Sequence, residues 1–256
     1  MVNPVGHFRG EHETEGYFLH DYLPLMLANG ENAMAERRAH LATIQRHFRL
    51  PQHPRLLDVG CALGFMLQVA RGAGWEPVGV ETSEFAARYA AEKTGCSVRT
   101  GTLQEAGFPS ESFDVVTLMD VIEHVPDPDG LLREVRRVLR PEGVAYIVTP
   151  NFASFFVRLY GLNAYGIWPD QHVVYFQPST IRRLLRRIGF RKVLTGTKDF
   201  YPENLRRFFG RKDARAAAEI KAAFGAGSLL GRLRRVVNPL LMHVPLGDKL
   251  IALAQG

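Results

Sequence analysis

The run LLDVGCALG, residues 56–64, carries an apolar segment into an acid and then into a turn bracketed by Gly60 and Gly64. The amphipathic stretch that opens with Phe65 and Met66 completes a strand, tight loop and helix. Glycine suits such a loop because a side chain would block close backbone approach to a ligand, and because the turn can require positive φ. By itself the run also fits a buried strand and an ordinary tight turn. A dinucleotide-binding loop likewise follows a first strand, but its G-x-G-x-x-G cradles a pyrophosphate on a helix N-terminus. Here the spacing is Gly60-Cys61-Ala62-Leu63-Gly64, with Asp58 just before it. A carboxylate facing a phosphate is repulsive, whereas it attracts a ligand bearing a cation. A second acid, Glu81, ends the next apolar run, PVGVETS, where it can accept both hydroxyls of a ribose. Nucleoside plus cation is the implied ligand chemistry.

Outward from this loop the chain alternates short apolar runs with amphipathic ones, the rhythm of an α/β domain with a parallel sheet. Strands are expected over 55–59, 77–81, 97–99, 113–119, 143–149 and 191–197, with a last one over 249–254. Helices are expected over 33–48, 64–73, 83–94, 128–139 and 178–188, each with apolar residues three and four apart. Ser83 can cap a helix start, and Gly95 and Gly189 stand where helices stop. The expected organisation is an N-terminal helical lid (1–54), a core (55–200), an insertion (201–248) and a final core strand (249–256).

The chain has 256 residues, 46% hydrophobic and 23% charged, which fits a soluble globular protein and excludes a wholly disordered one. Its two cysteines, Cys61 and Cys96, are too few for a disulfide framework or a multi-cysteine zinc site, so a reducing, cytoplasmic setting is expected. The opening residues have no basic segment leading into an apolar run, and no stretch of about 18 apolar residues occurs, so neither secretion nor membrane spanning is expected. The net charge of +6 falls wholly in residues 201–256, where ten Lys or Arg face four acids. That placement argues for a basic appendage rather than a basic catalytic face. Within it Leu229, Leu230, Leu233, Val236, Val237 and Leu240 share one helical face, while Arg232, Arg234 and Arg235 fall elsewhere. The segment 226–244 is a candidate peripheral membrane contact, or a lid packed on the core.

LDVGCALG, VGVETSE, FDVVTLMDVIEHVPDP, LLREVRRVLRPEG and TPN, with HVVYF and IGF downstream, together resemble the class I S-adenosylmethionine-dependent methyltransferases. The similarity runs from about residue 17 to 197 and is nearest the branch holding ubiquinone-biosynthesis O-methyltransferases and related small-molecule enzymes. It implies a Rossmann-like α/β fold, a mostly parallel seven-stranded sheet with helices on both faces, and S-adenosylmethionine as cofactor. By resemblance Asp58, Gly60, Cys61 and Gly64 line the methionine part, Glu81 and Thr82 the ribose, Thr102 and Leu103 the adenine, and Met119 and Asp120 the far flank. Two positions depart from the family pattern: Ala62 stands where glycine is usual, and Thr102 where aspartate is common. Cys61 is read as a small packing residue without a catalytic role.

Methyl transfer needs the acceptor in line with the sulfur–methyl bond, and a base if the acceptor is a hydroxyl. His124 is the first base candidate because imidazole titrates near neutral pH; its alternative role is to support the loop with Glu123. His172 is the second, inside an acceptor wall of Trp168, Asp170 and Tyr175, with a packed core histidine as its alternative. Tyr17 belongs to the segment that in relatives covers the cofactor, and Arg37 or Arg38 is a candidate partner for the methionine carboxylate. Asp120, Glu123 and His124, spaced i, i+3 and i+4, would share one face of a helical turn as a cation site. In the ubiquinone branch the matching letters go with metal dependence; many other relatives carry them without it, and no metal is assigned. Nucleic acid is not an expected partner, since the turn after the fourth strand reads MDVI and lacks the Asn/Asp-Pro-Pro-aromatic pattern of base amino-methylases. The expected function is methyl transfer to a small-molecule hydroxyl. The alternatives are an RNA or protein methyltransferase, or a cofactor-binding protein without catalysis. The sequence is silent on oligomeric state.

Overall fold

In the computed structural model, which describes residues 23–24, 30–164, 166–169, 171–199 and 244–256, the apolar runs pair into one seven-stranded sheet. The elements are α1 (Gly30–His47), β1 (Arg55–Val59), α2 (Phe65–Gly72), β2 (Glu76–Glu81), α3 (Glu84–Thr94), β3 (Ser97–Thr100) and β4 (Phe113–Met119). There follow α4 (Pro128–Val138), β5 (Leu139–Pro150), α5 (Phe155–Tyr160), a 3-10 turn (Gly161–Asn163), α6 (Pro178–Ile188), β6 (Lys192–Lys198) and β7 (Lys249–Gln255). The strand order is β3-β2-β1-β4-β5-β7-β6. Pairings among β1 to β5 are parallel, and β7 runs antiparallel to both β5 and β6. The order reverses at β1 and β4, so the first loop and the loop after β4 open beside each other at the carboxyl ends.

Strand residues alternate between two cores because successive side chains point to opposite faces. Leu57, Val116 and Ala145 pack with Leu132, Val135 and Leu185 of α4 and α6, whereas Leu56, Val115 and Tyr146 pack with Ile44, Met66 and Leu67 of α1 and α2. Leu56 and Leu57 are both fully buried, each stabilising the fold by about 1.5–3 kcal/mol through removal from water. Helix ends follow their expected punctuation. Ser83 Oγ accepts from the Ala86 N–H, Asp127 from that of Gly130, and Gly95 and Gly189 end helices with positive φ.

Helix α1 is pinned through a buried polar contact. Lys198 Nζ, a donor only, lies 3.1 Å from His40 Nε2, so Nδ1 carries the proton and donates to the Tyr146 hydroxyl at 2.6 Å. Burial first, and the Lys198 charge second, push the His40 imidazole down to about 4 and keep it neutral.

Three expectations are corrected. Helix α5 and the 3-10 turn lie in a stretch to which the sequence reading assigned no element; α5 is short, and only Phe156 in it is buried, so little periodicity announces it. Strand β5 begins at Leu139 rather than 143, because Leu139 pairs with Phe113 before a register shift. Residues 120–124 form a turn and not a helix, since Asp120 takes φ +57. Among the described residues no helix is long and apolar enough to cross a membrane.

Candidate active site

The cofactor half is built from neighbouring pieces of chain. Asp58 is buried at the end of β1 and accepts a 2.6 Å hydrogen bond from Thr117 Oγ1 of β4. Burial raises its carboxyl to about 6, Glu81 adds to the rise, and the Thr117 bond and the Arg37 charge work against it. The loop then folds back on β2: Gly60 N–H and Cys61 N–H both donate to the Val80 carbonyl, at 2.8 and 3.1 Å. Gly60 has φ +68, and a Cβ there would sit 2.6 Å from Val121 Cγ2, so two independent constraints select glycine. Glu81 links the two loops, accepting from Ala62 N–H at 2.8 Å on one oxygen and from Ser83 N–H at 3.0 Å and Thr82 Oγ1 at 3.3 Å on the other. A carboxylate offers about four acceptor positions, so with three in use Glu81 keeps capacity for one ribose hydroxyl, and for a second where the long Thr82 contact gives way. Leu103 is buried beyond β3, while Thr102 is turned to Glu105, which accepts from its N–H and its hydroxyl at 2.8 Å each.

Cys61 is buried, and its thiol is pushed far up by that burial and by the charges of Asp58 and Glu81. A thiolate does not form there near neutral pH, consistent with a packing role.

The other half draws on distant segments. After β4 the Asp120 N–H donates to the Val148 carbonyl at 2.9 Å, and the Asp120 carboxylate pairs with Lys249 at the start of β7. Burial pushes the Asp120 carboxyl up, but the Lys249 charge and hydrogen bond outweigh it and hold the group below the usual carboxylate range. Glu123 is 1% exposed: Oε2 accepts from Thr149 Oγ1 at 2.9 Å, and Oε1 has no hydrogen-bond partner among the described residues. Burial, then the Asp120 charge, raise its carboxyl to about 8. The Glu123 carbonyl accepts from Val173 and Val174 N–H at 2.9 and 3.2 Å, which brings the 171–176 segment against the β4 loop.

That contact pairs the two histidines. Their ring centroids are 4.8 Å apart and nearly perpendicular at 74°. His124 Nδ1 lies 3.0 Å from the Gln171 carbonyl, which can only accept, so Nδ1 bears the proton and Nε2 is the basic nitrogen of the neutral ring. His172 is buried, with Trp168 stacked on one side at 6.3 Å and Tyr175 edge-on at 5.6 Å. Phe152 extends this wall, 5.3 Å from Tyr175.

Of the residues singled out from sequence, Asp58, Gly60, Cys61, Gly64, Glu81 and Thr82 meet around one loop pair, and Met119 and Asp120 border it. Tyr17, Asp170 and nearly all of 226–244 lie outside the described residues. Arg38 is exposed, whereas the Arg37 charge is felt at both Asp58 and Asp120, which places its guanidinium near both carboxylates. Thr149, which the sequence places at the carboxyl end of β5, does reach the site; Thr117, Gln171 and Lys249 are not singled out by sequence. Thr117 is detectable as a polar interruption of an apolar strand; nothing local distinguishes Lys249. Asp120, Glu123 and His124, to which the sequence assigns no metal, do not share one helical face: Lys249 holds Asp120 on a non-helical turn, and among the described residues it is Glu123, His124 and His172 that gather, with ligand atoms all within 4.8 Å of one another. Two imidazoles and one carboxylate suit a transition metal better than magnesium.

Residues 26–195, about two thirds of the chain, match the family described as methyltransferase domain. The chain belongs to that family. It is an S-adenosylmethionine-dependent methyltransferase of class I, with the Rossmann-like sheet described above. A ubiquinone biosynthesis O-methyltransferase of Parvibaculum lavamentivorans is 30% identical over 77% of this chain and 73% of its own length. Others of that name match over shorter spans, down to 46% of their length. Among solved structures, a SAM-dependent methyltransferase of Thermotoga maritima, described as a possible histamine N-methyltransferase, superposes with a TM-score of 0.65 at 20% identity, covering 95% of this chain and 98% of that one. The phosphoethanolamine N-methyltransferase 2 of Haemonchus contortus, in complex with S-adenosylmethionine, has a TM-score of 0.56 at 19% identity over 85% of this chain and 52% of that one. At such identities the structural likeness speaks for the fold.

Proposed function

We propose that this methyltransferase methylates a hydroxyl of a small-molecule acceptor, with His124 as general base and His172 as the neighbour that positions it or substitutes for it. The observation carrying the reading is the His124 tautomer: the Gln171 carbonyl fixes the proton on Nδ1, leaving Nε2 basic on the turn that follows β4. The O-methyltransferase name of the relative at 30% identity supports the hydroxyl as acceptor.

When bound, S-adenosylmethionine supplies an electrophilic methyl group on a sulfonium. Asp58, Glu81 and Asp120 place negative charge around the crevice, which favours that cation. Glu81 and Thr82 take the ribose hydroxyls, Thr102 and Leu103 flank the adenine, and Gly60, Cys61 and Gly64 leave room for the methionine chain, whose carboxylate pairs with Arg37. Trp168 and Tyr175 hold the apolar body of the acceptor, with Tyr17 and Asp170 assigned to the same wall. His124 Nε2 takes the hydroxyl proton as the oxygen attacks the methyl carbon, and positioning supplies most of the remaining acceleration. The segment 226–244 is assigned a lid or peripheral membrane role.

The gathering of Glu123, His124 and His172 supports a second use of the same side chains. They would hold a divalent ion able to polarise an acceptor oxygen.

The test is an acceptor panel of phenols, catechols and aliphatic alcohols beside amines, short peptides and RNA, read by S-adenosylhomocysteine release and product mass. Turnover confined to hydroxyl acceptors is expected, and turnover only on amines, peptides or RNA would overturn the reading. With an acceptor found, His124→Ala is expected to lower kcat by about 100-fold or more. Loss of activity on chelation, restored by a transition metal, would select the second use.

A further inference from the structure

A second cavity opens away from the methyl-transfer crevice. It has a volume of about 360 Å³ and lies between the β5–α5 connection (Ala153), α5 (Arg158), the first turns of α6 (Pro178, Ser179, Arg182), β6 (Thr195) and Pro245 before β7. None of its lining residues is assigned to the cofactor or the acceptor. Its lining begins at Ala153, three residues beyond the end of β5, and runs to α6 and β6, whereas Glu123 and His124 lie on the turn after β4.

We propose that this cavity binds a phosphate group carried on a small, partly apolar body. Among the described residues no Asp or Glu lines it, and neither Arg158 nor Arg182 is ion-paired. Two unbalanced guanidinium groups around one concavity create a local positive potential that a dianion neutralises, and arginine suits phosphate because its fork donates two parallel hydrogen bonds. Both side chains are oriented by the protein. Arg158 Nε donates to the Ala153 carbonyl at 3.1 Å, which leaves both terminal nitrogens for an anion, and an Arg182 terminal nitrogen donates to Thr195 Oγ1.

The first turn of α6 adds to the same polarity. Thr180 and Ile181 direct their N–H groups to the Gln177 carbonyl, Pro178 has none, and the Ser179 N–H and hydroxyl remain at the rim. Thr197 also lines the cavity, but its hydroxyl is committed to the Val244 carbonyl and the Gly247 N–H. Ala153, Pro178, Val244 and Pro245 supply apolar wall for what the phosphate carries. The volume falls within the range of about 300–1,000 Å³ common for small-ligand pockets.

The chemistry is shared by a soluble phosphate ester and a phospholipid headgroup, and the experiment separates them. The full chain is titrated calorimetrically with inorganic phosphate and with glycerol 3-phosphate in phosphate-free buffer, and tested for flotation with phosphatidic acid vesicles against phosphatidylcholine vesicles. The wild type is compared with Arg158→Gln and with Arg158→Gln/Arg182→Gln. Saturable binding of phosphate or its ester, weakened about tenfold by Arg158→Gln and abolished in the double variant while S-adenosylmethionine affinity is unchanged, supports a soluble ester. Flotation with phosphatidic acid alone, lost in the same variants, supports a headgroup. No binding in any arm, binding indifferent to both variants, or displacement of phosphate by S-adenosylmethionine would overturn the proposal. Arg158 is exposed and bonded only to a carbonyl, so its single variant guards against misreading a folding defect in the double one.

Discussion

The two halves of the crevice are assembled differently. On the cofactor side Asp58, the glycine loop and Glu81 lie within 24 consecutive residues, and their hydrogen bonds join adjacent parallel strands. On the acceptor side, Asp120 meets Lys249, Glu123 meets Thr149, and both Glu123 and His124 meet His172, only because the end of β5, the segment beyond it and the start of β7 converge on the turn after β4. The first half is a local device repeated wherever this strand–loop–helix occurs. The second depends on the sheet being complete to its last strand, which enters antiparallel and delivers Lys249. Variation in acceptor chemistry can therefore accumulate in one half without disturbing cofactor capture in the other.

The largest expected effect breaks the cofactor half. Glu81→Ala removes the acceptor of three hydrogen bonds and of the ribose hydroxyls, and calorimetry is expected to show S-adenosylmethionine binding weakened about 100-fold or more. A change below tenfold would mean that Glu81 serves the loops and not the nucleoside.

Next comes Asp58, where function and stability oppose each other. Its folded value of about 6 lies above the ordinary 3.8, so the folded state holds its proton more tightly, and stability falls as pH rises from 4 through 6. At pH 8 the full cost is present, roughly 3 kcal/mol from about 1.4 kcal/mol per unit. Asp58→Asn is therefore expected to raise the denaturation midpoint of the cofactor-free protein at pH 8, with little gain at pH 4, while weakening the cofactor. Equal gains at both pH values would contradict burial as the cause.

Glu123 offers a smaller test in the other half. Its raised value of about 8 means that stability continues to fall between pH 7 and 9, where an ordinary carboxylate contributes no slope. Wild type should lose on the order of 1 kcal/mol more than Glu123→Gln over that interval in paired urea titrations. Parallel pH profiles would show Glu123 already ionised at pH 7.

The smallest effect concerns Ala62, held at φ +46 where glycine carries no penalty. Ala62→Gly is expected to stabilise by about 0.5–1 kcal/mol, relief of left-handed strain being partly offset by the freer unfolded chain. Destabilisation in thermal melts would show that the Ala62 methyl packs more than it strains.

Legibility followed the same division. LLDVGCALG and VGVETSE disclosed their strands, their turn and their acids, because alternation, glycine and a terminal carboxylate are all local signals. The surroundings of Asp120 were hidden for the opposite reason. Asp120, Glu123 and His124 have helical spacing, but Asp120 takes a positive φ and pairs with Lys249, 129 residues away, which the β5–β7 pairing carries to the site. Helix α5 escaped notice because it is short and buries only Phe156, while Phe155 and Leu159 stand exposed, so no apolar periodicity marks it.

By itself the sequence determined the alternating α/β order, the cofactor loop, the two acids that flank it and the two candidate bases. Only the tertiary structure decided that His124 keeps its proton on Nδ1, that Asp120 belongs to Lys249, and that two arginines with no carboxylate partner among the described residues share a cavity beside the edge strand. The physical reason is range. Periodicity and turn chemistry act within a few residues, whereas tautomers, buried ionisation and cavities depend on which distant groups the packed sheet brings into contact.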